Sequence, residues 1–415
     1  MEHFRDTQHK TRVTPSLPTA LPASQLLTRN RYLLHAGLFV VTLLSTALTG
    51  AVVFIGRSVA WEAGDAVLNI GGIPFTTAFL ADAFTFGGAL VAFLTIHEFG
   101  HYIAGRLHRV KTSLPYFIPS PLIGIGTLGA VISIREPIPN LTKLFDIGAA
   151  GPIAGFVMVL ILLVWAMATL PSPEYMFGVG GHEPLLDYIR ATGKFPETPI
   201  SDAPPGGRLT LGATPLYWGL TQVFPNVPPL YEMYHYPLLF AAWLGLFFTA
   251  LNLMPVGQLD GGHIVYALFG PKWHARISRT FIFLMLSSMA VGAALVLPGM
   301  LITMTGSELI GKISLWFILG AFLALCTRRV FGERWWLMTL TILVLASFAS
   351  AVPDALNWFG YFGWFPWCLL LIFVVKVDHP PVPLSHPLTN RRRLVGYFTL
   401  AIFILCFSIK PLYSV

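Results

Sequence analysis

The chain has 415 residues, of which 55% are hydrophobic and only 11% charged. A soluble domain carries about 25% charged residues, so that class is excluded as the default and a polytopic membrane protein takes its place. The net charge of +7 would suit a nucleic-acid partner, but the basic residues are distributed as a topology signal and no nucleic-acid partner is expected.

In chain order, residues 1–30 are polar, basic and rich in Pro, Ser and Thr, without the apolar core of a signal peptide. They are expected to form a disordered cytoplasmic tail, although a truncated organellar transit segment would have a similar composition. Residues 31–76 read as a first transmembrane helix with its connecting loop. Runs of about 17–25 mostly apolar residues fall at roughly 33–56, 77–105, 146–170, 237–256, 280–304, 311–327, 335–352, 358–376 and 394–410. The expected fold is therefore an all-α polytopic membrane protein with about nine transmembrane helices.

With the N-terminus in the cytoplasm, Arg5, Lys10, Arg12, Arg29 and Arg31 lie on the cytoplasmic side, as do Arg106, Arg109, Lys111, Arg135 and Lys143. Lys272, Arg276, Arg279, Arg328, Arg329, Arg334, Lys376, Arg391, Arg392 and Arg393 join them, giving 20 of the 26 Lys and Arg. That bias follows the positive-inside rule and supports both the span assignment and the orientation. Cys326, Cys368 and Cys406 are widely spaced in or beside apolar runs, which points to buried thiols and to no disulfide framework.

Two segments interrupt the helices. At about 111–136, β-branched and aromatic residues punctuated by Pro and Gly predict a small membrane-associated β-hairpin between the second and third helices. It is apolar enough to dip into the membrane beside the second helix, where irregular backbone needs protein or a water-filled cavity around it. Residues 171–236 are rich in Pro and Gly with an acidic excess, and suit a non-cytoplasmic cap with no globular-domain pattern. Residues 271–415 read as additional C-terminal transmembrane helices around a membrane core at 77–270.

Chemistry concentrates in two places. LTIHEFGHYIAG, Leu94 to Gly105, holds His97 and His101 at i and i+4 of a helix, about 6 Å apart along its axis, with Glu98 beside the first. Paired imidazoles on one helix face suit zinc, and the adjacent carboxylate suits a general base. A chance match is the bland alternative, but ionisable groups inside a spanning helix are costly and by default functional. A catalytic zinc site needs a third protein ligand, and no third His or Glu extends this motif. The best membrane-embedded candidate is Asp260 in TALNLMPVGQLDGGHI, Thr249 to Ile264, where Pro255, Gly257, Gly261 and Gly262 predict a broken helix and a carboxylate on flexible backbone. Asp260 would lie near the cytoplasmic end of the fourth helix and His97 about nine residues, ~13 Å, inside that of the second. Both halves of the site thus arrive at the same face.

Taken together, His97-Glu98-x-x-His101, Asn252, Pro255 and Asp260-Gly261 resemble the signatures of the site-2 proteases, a family of intramembrane zinc metalloproteases. Gly126-Thr127-Leu128-Gly129 resembles the family's β element, and AAGPIAG, Ala149 to Gly155, its Gly-rich core helix. SLPYFIPSP, Ser113 to Pro121, is most similar to the branch without a PDZ domain, and the resemblance covers about residues 77–270. It implies one Zn2+ per chain held by His97, His101 and Asp260, with Glu98 as base and Asn252 facing substrate or oxyanion. It further implies a zinc metalloendopeptidase acting on single-pass, membrane-anchored regulatory proteins within the lipid bilayer. The resemblance favours a bacterial inner membrane ahead of a chloroplast membrane.

Alternatives stay open for several residues. Asn252 is equally suited to interhelical hydrogen bonding, and His263 to orienting a ligand or filling an interface. His108 reads as a surface residue, and Asp82, about 22 Å along the helix from His97, as an interfacial one. A membrane zincin with a later Glu ligand would have to use Glu308 or Glu333, both at predicted helix ends. A metal-binding transporter or inactive scaffold is the non-enzyme alternative, against which the intact Glu98 argues.

Overall fold

The computed structural model describes residues 23–56, 66–70, 73–121, 124–180, 182–200, 209–383 and 386–414. Residues 1–22 of the expected tail and 201–208 of the expected cap lie outside these. Helix α1, Ala23–Thr49, begins inside the stretch read as tail and runs on through a π-helical turn to Ile55. A small hairpin, β1 (Ala66–Ile70) with β2 (Ile73–Thr76), leads into α2, Thr77–Leu107. The Thr76 hydroxyl accepts from the Phe79 N–H at 3.1 Å and caps α2, satisfying one of the donors a helix start leaves over. Helix α2 stops at the basic Arg106 end, where Arg109 turns left-handed.

Strands β3 (Tyr116–Ser120) and β4 (Gly126–Val131) form the expected hairpin, with Tyr116 opposite Val131 and a bulge between Phe117 and Pro119. Its main support is α1 rather than α2. His35 Nδ1 donates to the Pro115 carbonyl at 2.9 Å, the Ser45 hydroxyl donates to the Gly126 carbonyl at 2.7 Å, and Phe39 meets Phe117 edge to face. Gly126 has φ +87°, and a Cβ there would strike the Ser45–Thr46 backbone, so only glycine fits at the start of β4.

Helix α3, Leu141–Ala168, is capped by the Asn140 side chain and contains Pro152. The expected cap carries α4 (Glu183–Thr192), β5 (Leu209–Leu211) and α5 (Pro215–Thr221). Then come α6 (Pro237–Asn252) and α7 (Asp260–Thr305), the latter kinked where Gly270 has φ 79° ahead of Pro271. Helices α8 (Glu308–Phe331), α9 (Trp335–Ala351), α10 (Pro353–Leu356), α11 (Phe365–Leu369) and α12 (Asn390–Cys406) complete the bundle. Strand β6, Leu412–Ser414, pairs antiparallel with β5, so the C-terminal end is tied to the segment before α5.

One core lies where α2, α3 and α6 meet and is built on large buried side chains such as Phe86, Phe93, Leu163, Phe240 and Trp243. A second joins α7, α8, α9 and α11 around Leu286, Leu323 and Cys368. The three cysteines are free and buried, as expected.

Helix falls in every stretch read as a span. Five helical stretches among the described residues are long and apolar enough to cross a membrane, one of them running from Glu308 to Ala351 through both α8 and α9. Pro237–Asn252 and Phe362–Val375 are apolar but shorter, and the 17 residues of α12 open on three arginines. Length and composition therefore support five crossings directly rather than about nine.

Candidate metal centre

His97 and His101 sit one turn apart on α2 with both side chains buried, and their Nε2 atoms are 3.2 Å apart. Asp260 closes the group: its Oδ2 is 3.5 Å from His97 Nε2 and 3.3 Å from His101 Nε2. His101 Nδ1 donates to the Ile147 carbonyl at 2.7 Å, which leaves the neutral ring's lone pair on Nε2. A lone pair therefore faces a carboxylate oxygen and a second imidazole in a buried site, and such a cluster calls for positive charge at its centre. An ion with tetrahedral ligands at about 2.0–2.2 Å spaces neighbouring donors about 3.3–3.6 Å apart. The observed spacings match that, and two nitrogens with one carboxylate oxygen suit a borderline divalent ion such as Zn2+.

Small residues let the helices come this close. A Cβ on Gly151 of α3 would collide with the His101 ring, one on Gly155 would crowd His97 Nδ1, and one on Gly100 would meet the Ala150 backbone. The glycines of AAGPIAG thus form the wall against which both imidazoles lie, a small-residue interface of the kind membrane helices use. Asp260 is presented differently from the expected broken helix. It does not end α6 but opens α7, after a turn over Leu253–Leu259, so its carboxylate lies at a helix N-terminus that favours negative charge.

Nor is that backbone loosely held. Gly261 and Gly262 press against the carbonyls of Leu253 and Gly257, and Gly257 (φ +55°) donates its N–H to the Val377 carbonyl at 3.1 Å. Here the glycines serve close backbone approach rather than flexibility.

A cavity of about 380 Å³ opens onto these residues, with Glu98, Asn252, Gln258 and His263 on its walls and Ala130 to Ile132 of the hairpin along one side. Glu98 is 7% exposed and shares the cavity wall with Ile132. Asn252 Nδ2 lies 3.3 Å from His97 Nε2, so it faces the site. His263 also faces it; its Cβ packs on Gly148, and its Nδ1 lies 2.7 Å from His379 Nε2.

His108 is no isolated surface residue. Its Nε2 is 2.8 Å from Asp146 Oδ2, and Arg392 grips the same carboxylate with two bonds of 2.8 Å. Asp82 accepts from the Tyr175 hydroxyl at 2.8 Å. Glu308 and Glu333, at the two ends of α8, are exposed and do not line the cavity. Gln258 and His379 were not singled out in the sequence. A lone His after a helix, in KVDHPP, carries no pattern that would reveal its neighbour.

Comparison with known proteins accords with this geometry. A family model described as peptidase family M50 matches residues 85–297. The probable zinc metalloprotease EGY2, chloroplastic, of Oryza sativa subsp. indica is 33% identical over 196 residues, covering 46% of this chain and 30% of that protein. The probable zinc metalloprotease EGY1, chloroplastic, of Arabidopsis thaliana is 29% identical over 225 residues, covering 54% of this chain and 36% of that protein. The chain thus spans about a third of the length of these curated relatives. No solved structure matches it.

Proposed function

The chain belongs to peptidase family M50, and on that premise we propose that it is an intramembrane zinc metalloprotease that hydrolyses peptide bonds within or near transmembrane segments of membrane-anchored regulatory proteins. The observation that carries the reading is the convergence of His97, His101 and Asp260 on one point, with Glu98 on the wall of the same cavity. One zinc ion held there would supply Lewis acidity, lowering the pKa of a water to about 7 and polarising the scissile carbonyl.

Glu98 takes the proton of the attacking water and returns it to the leaving amine nitrogen. His101 is held in its ligating orientation by the Ile147 carbonyl. Asn252 positions substrate backbone beside His97. A substrate helix conceals its peptide bonds in its own hydrogen bonds and must unwind to react. The hairpin residues Ala130 to Ile132 border the cavity and offer an edge to which an extended segment adds as a strand.

The membrane setting follows from the long apolar helices. We read the short helices as crossings too, which gives nine passes with the face bearing Arg106, Arg279 and Arg392 turned inward. The relatives named above are chloroplast proteins and do not favour the bacterial inner membrane expected from the sequence.

The test is cleavage of a single-pass reporter by purified protein in detergent. Cleavage should stop with a chelator, return with zinc, and be absent in Glu98→Gln at unchanged zinc content. A Glu98→Gln protein as active as the parent would sink the mechanism, and zinc binding without cleavage would favour a transporter or inactive scaffold.

A further inference from the structure

A second group of two histidines and a carboxylate lies at the other end of the bundle. Glu232 and His235 sit just before α6, and His182 just before α4, with one donor atom from each within 4.8 Å of the others. Glu232 Oε2 is 3.4 Å from His235 Nε2 and 4.0 Å from His182 Nδ1, and the two imidazoles meet edge to face at 4.8 Å. His97 and His101 meet in nearly the same way, at 4.9 Å. His235 Nδ1 donates to the Ile55 carbonyl at 2.8 Å, so the neutral ring turns its Nε2 lone pair toward Glu232, the same orienting device that the Ile147 carbonyl provides for His101.

Glu232 is fully buried, and both imidazoles turn a ring nitrogen toward its carboxylate. His182 is held at φ 63°, a left-handed conformation that side-chain-bearing residues adopt sparingly and that tends to be kept where function requires it. Tyr234 lies against His235, and Tyr236 meets the tilted ring of Tyr175, whose hydroxyl reaches Asp82. That contact puts the group about 22 Å along α2 from His97, so it is a separate centre.

We propose that His182, Glu232 and His235 bind a second divalent metal ion, of the borderline class that takes two imidazoles and a carboxylate, with Zn2+ as the probe. The ion joins the segment before α4 and the segment before α6, and His235 in turn holds the end of α1 through Ile55. The site does not depend on the cleavage chemistry of the first.

Metal content of the purified full chain after zinc loading and removal of excess tests it. Two zinc ions per chain are expected. His97→Ala/His101→Ala should retain one, His182→Ala should retain one, and the three changes together none. His182 is the least buried of the three, so His182→Ala disturbs packing least. One ion in the parent and none in His97→Ala/His101→Ala would overturn the second site and leave the first standing. One ion in each of those two proteins would instead remove the first site. Two ions retained in His182→Ala would also overturn the proposal.

Discussion

The imidazoles of His263 and His379 meet at 2.7 Å, Nδ1 to Nε2, across 116 positions of the chain. Tyr266 stacks on His379 with ring centroids 4.3 Å apart, and the Tyr266 hydroxyl accepts from the Val382 N–H at 3.3 Å. The segment after α11 therefore lies against the first turns of α7, just beyond Asp260.

His263→Ala and His379→Ala should be non-additive, with a coupling of about 1 kcal/mol in unfolding measured in detergent. Burial holds the His379 imidazole below its ordinary value. The unfolded chain then binds that proton more readily, so stability is present above the unfolded value of about 6.5 and is lost as pH falls below it. His379→Ala should accordingly flatten the loss of stability on acidification, and an unchanged pH profile would count against the pairing.

Gly151→Ala tests the wall behind His101. The added methyl would collide with the imidazole, and relief by displacement should cost about 1–3 kcal/mol and lower zinc content at that centre. Gly88→Ala on α2 is the control. Nothing lies within 4 Å of its Cβ position, and it should be neutral or stabilising by up to about 1 kcal/mol. Equal behaviour of the two variants in metal analysis would contradict the packing account.

Chelation should lower the unfolding temperature as well as stop cleavage. An ion present at 100 times its Kd stabilises by about 2.7 kcal/mol, and zinc should restore that increment. Glu98→Gln should keep the zinc-dependent increment, which separates ion binding from proton transfer.

Arg392→Ala should loosen the attachment of α12 to α3. The bond to Asp146 is doubled and charge-assisted, but Arg392 is about a third exposed. Solvent screening then reduces its contribution to about 0.5–1 kcal/mol. The effect should shrink in high salt, and a salt-independent loss would point to packing instead.

Much of the candidate site was legible because its signals are local. His97, Glu98 and His101 announce themselves by helical spacing in an apolar run, and Asp260 by its position after a Pro- and Gly-rich break. The purpose of that break was not legible. Gly261 and Gly262 read as flexibility, whereas their role is to admit the carbonyls of Leu253 and Gly257, which only the folded backbone reveals. His108 read as a surface residue because its partner Asp146 lies 38 positions away, and Arg392, which shares that carboxylate, 284. The number of crossings was less legible for a related reason: an apolar run shows that a segment avoids water, not how far it extends along the membrane normal, and length and composition support five of them directly. The C-terminal helices looked like added bulk because contacts such as His263 with His379 have no signature in sequence.

The bond from the Gly257 N–H to the Val377 carbonyl also imposes an order on the protein's birth. During synthesis α2, α3 and α6 can be inserted and packed long before residue 377 leaves the ribosome. Until it does, the turn that presents Asp260 lacks that anchor. The carboxylate end of the site is thus fastened only when most of the chain has been made, so a ribosome-bound nascent chain holds the two histidines well before it holds all three groups in register.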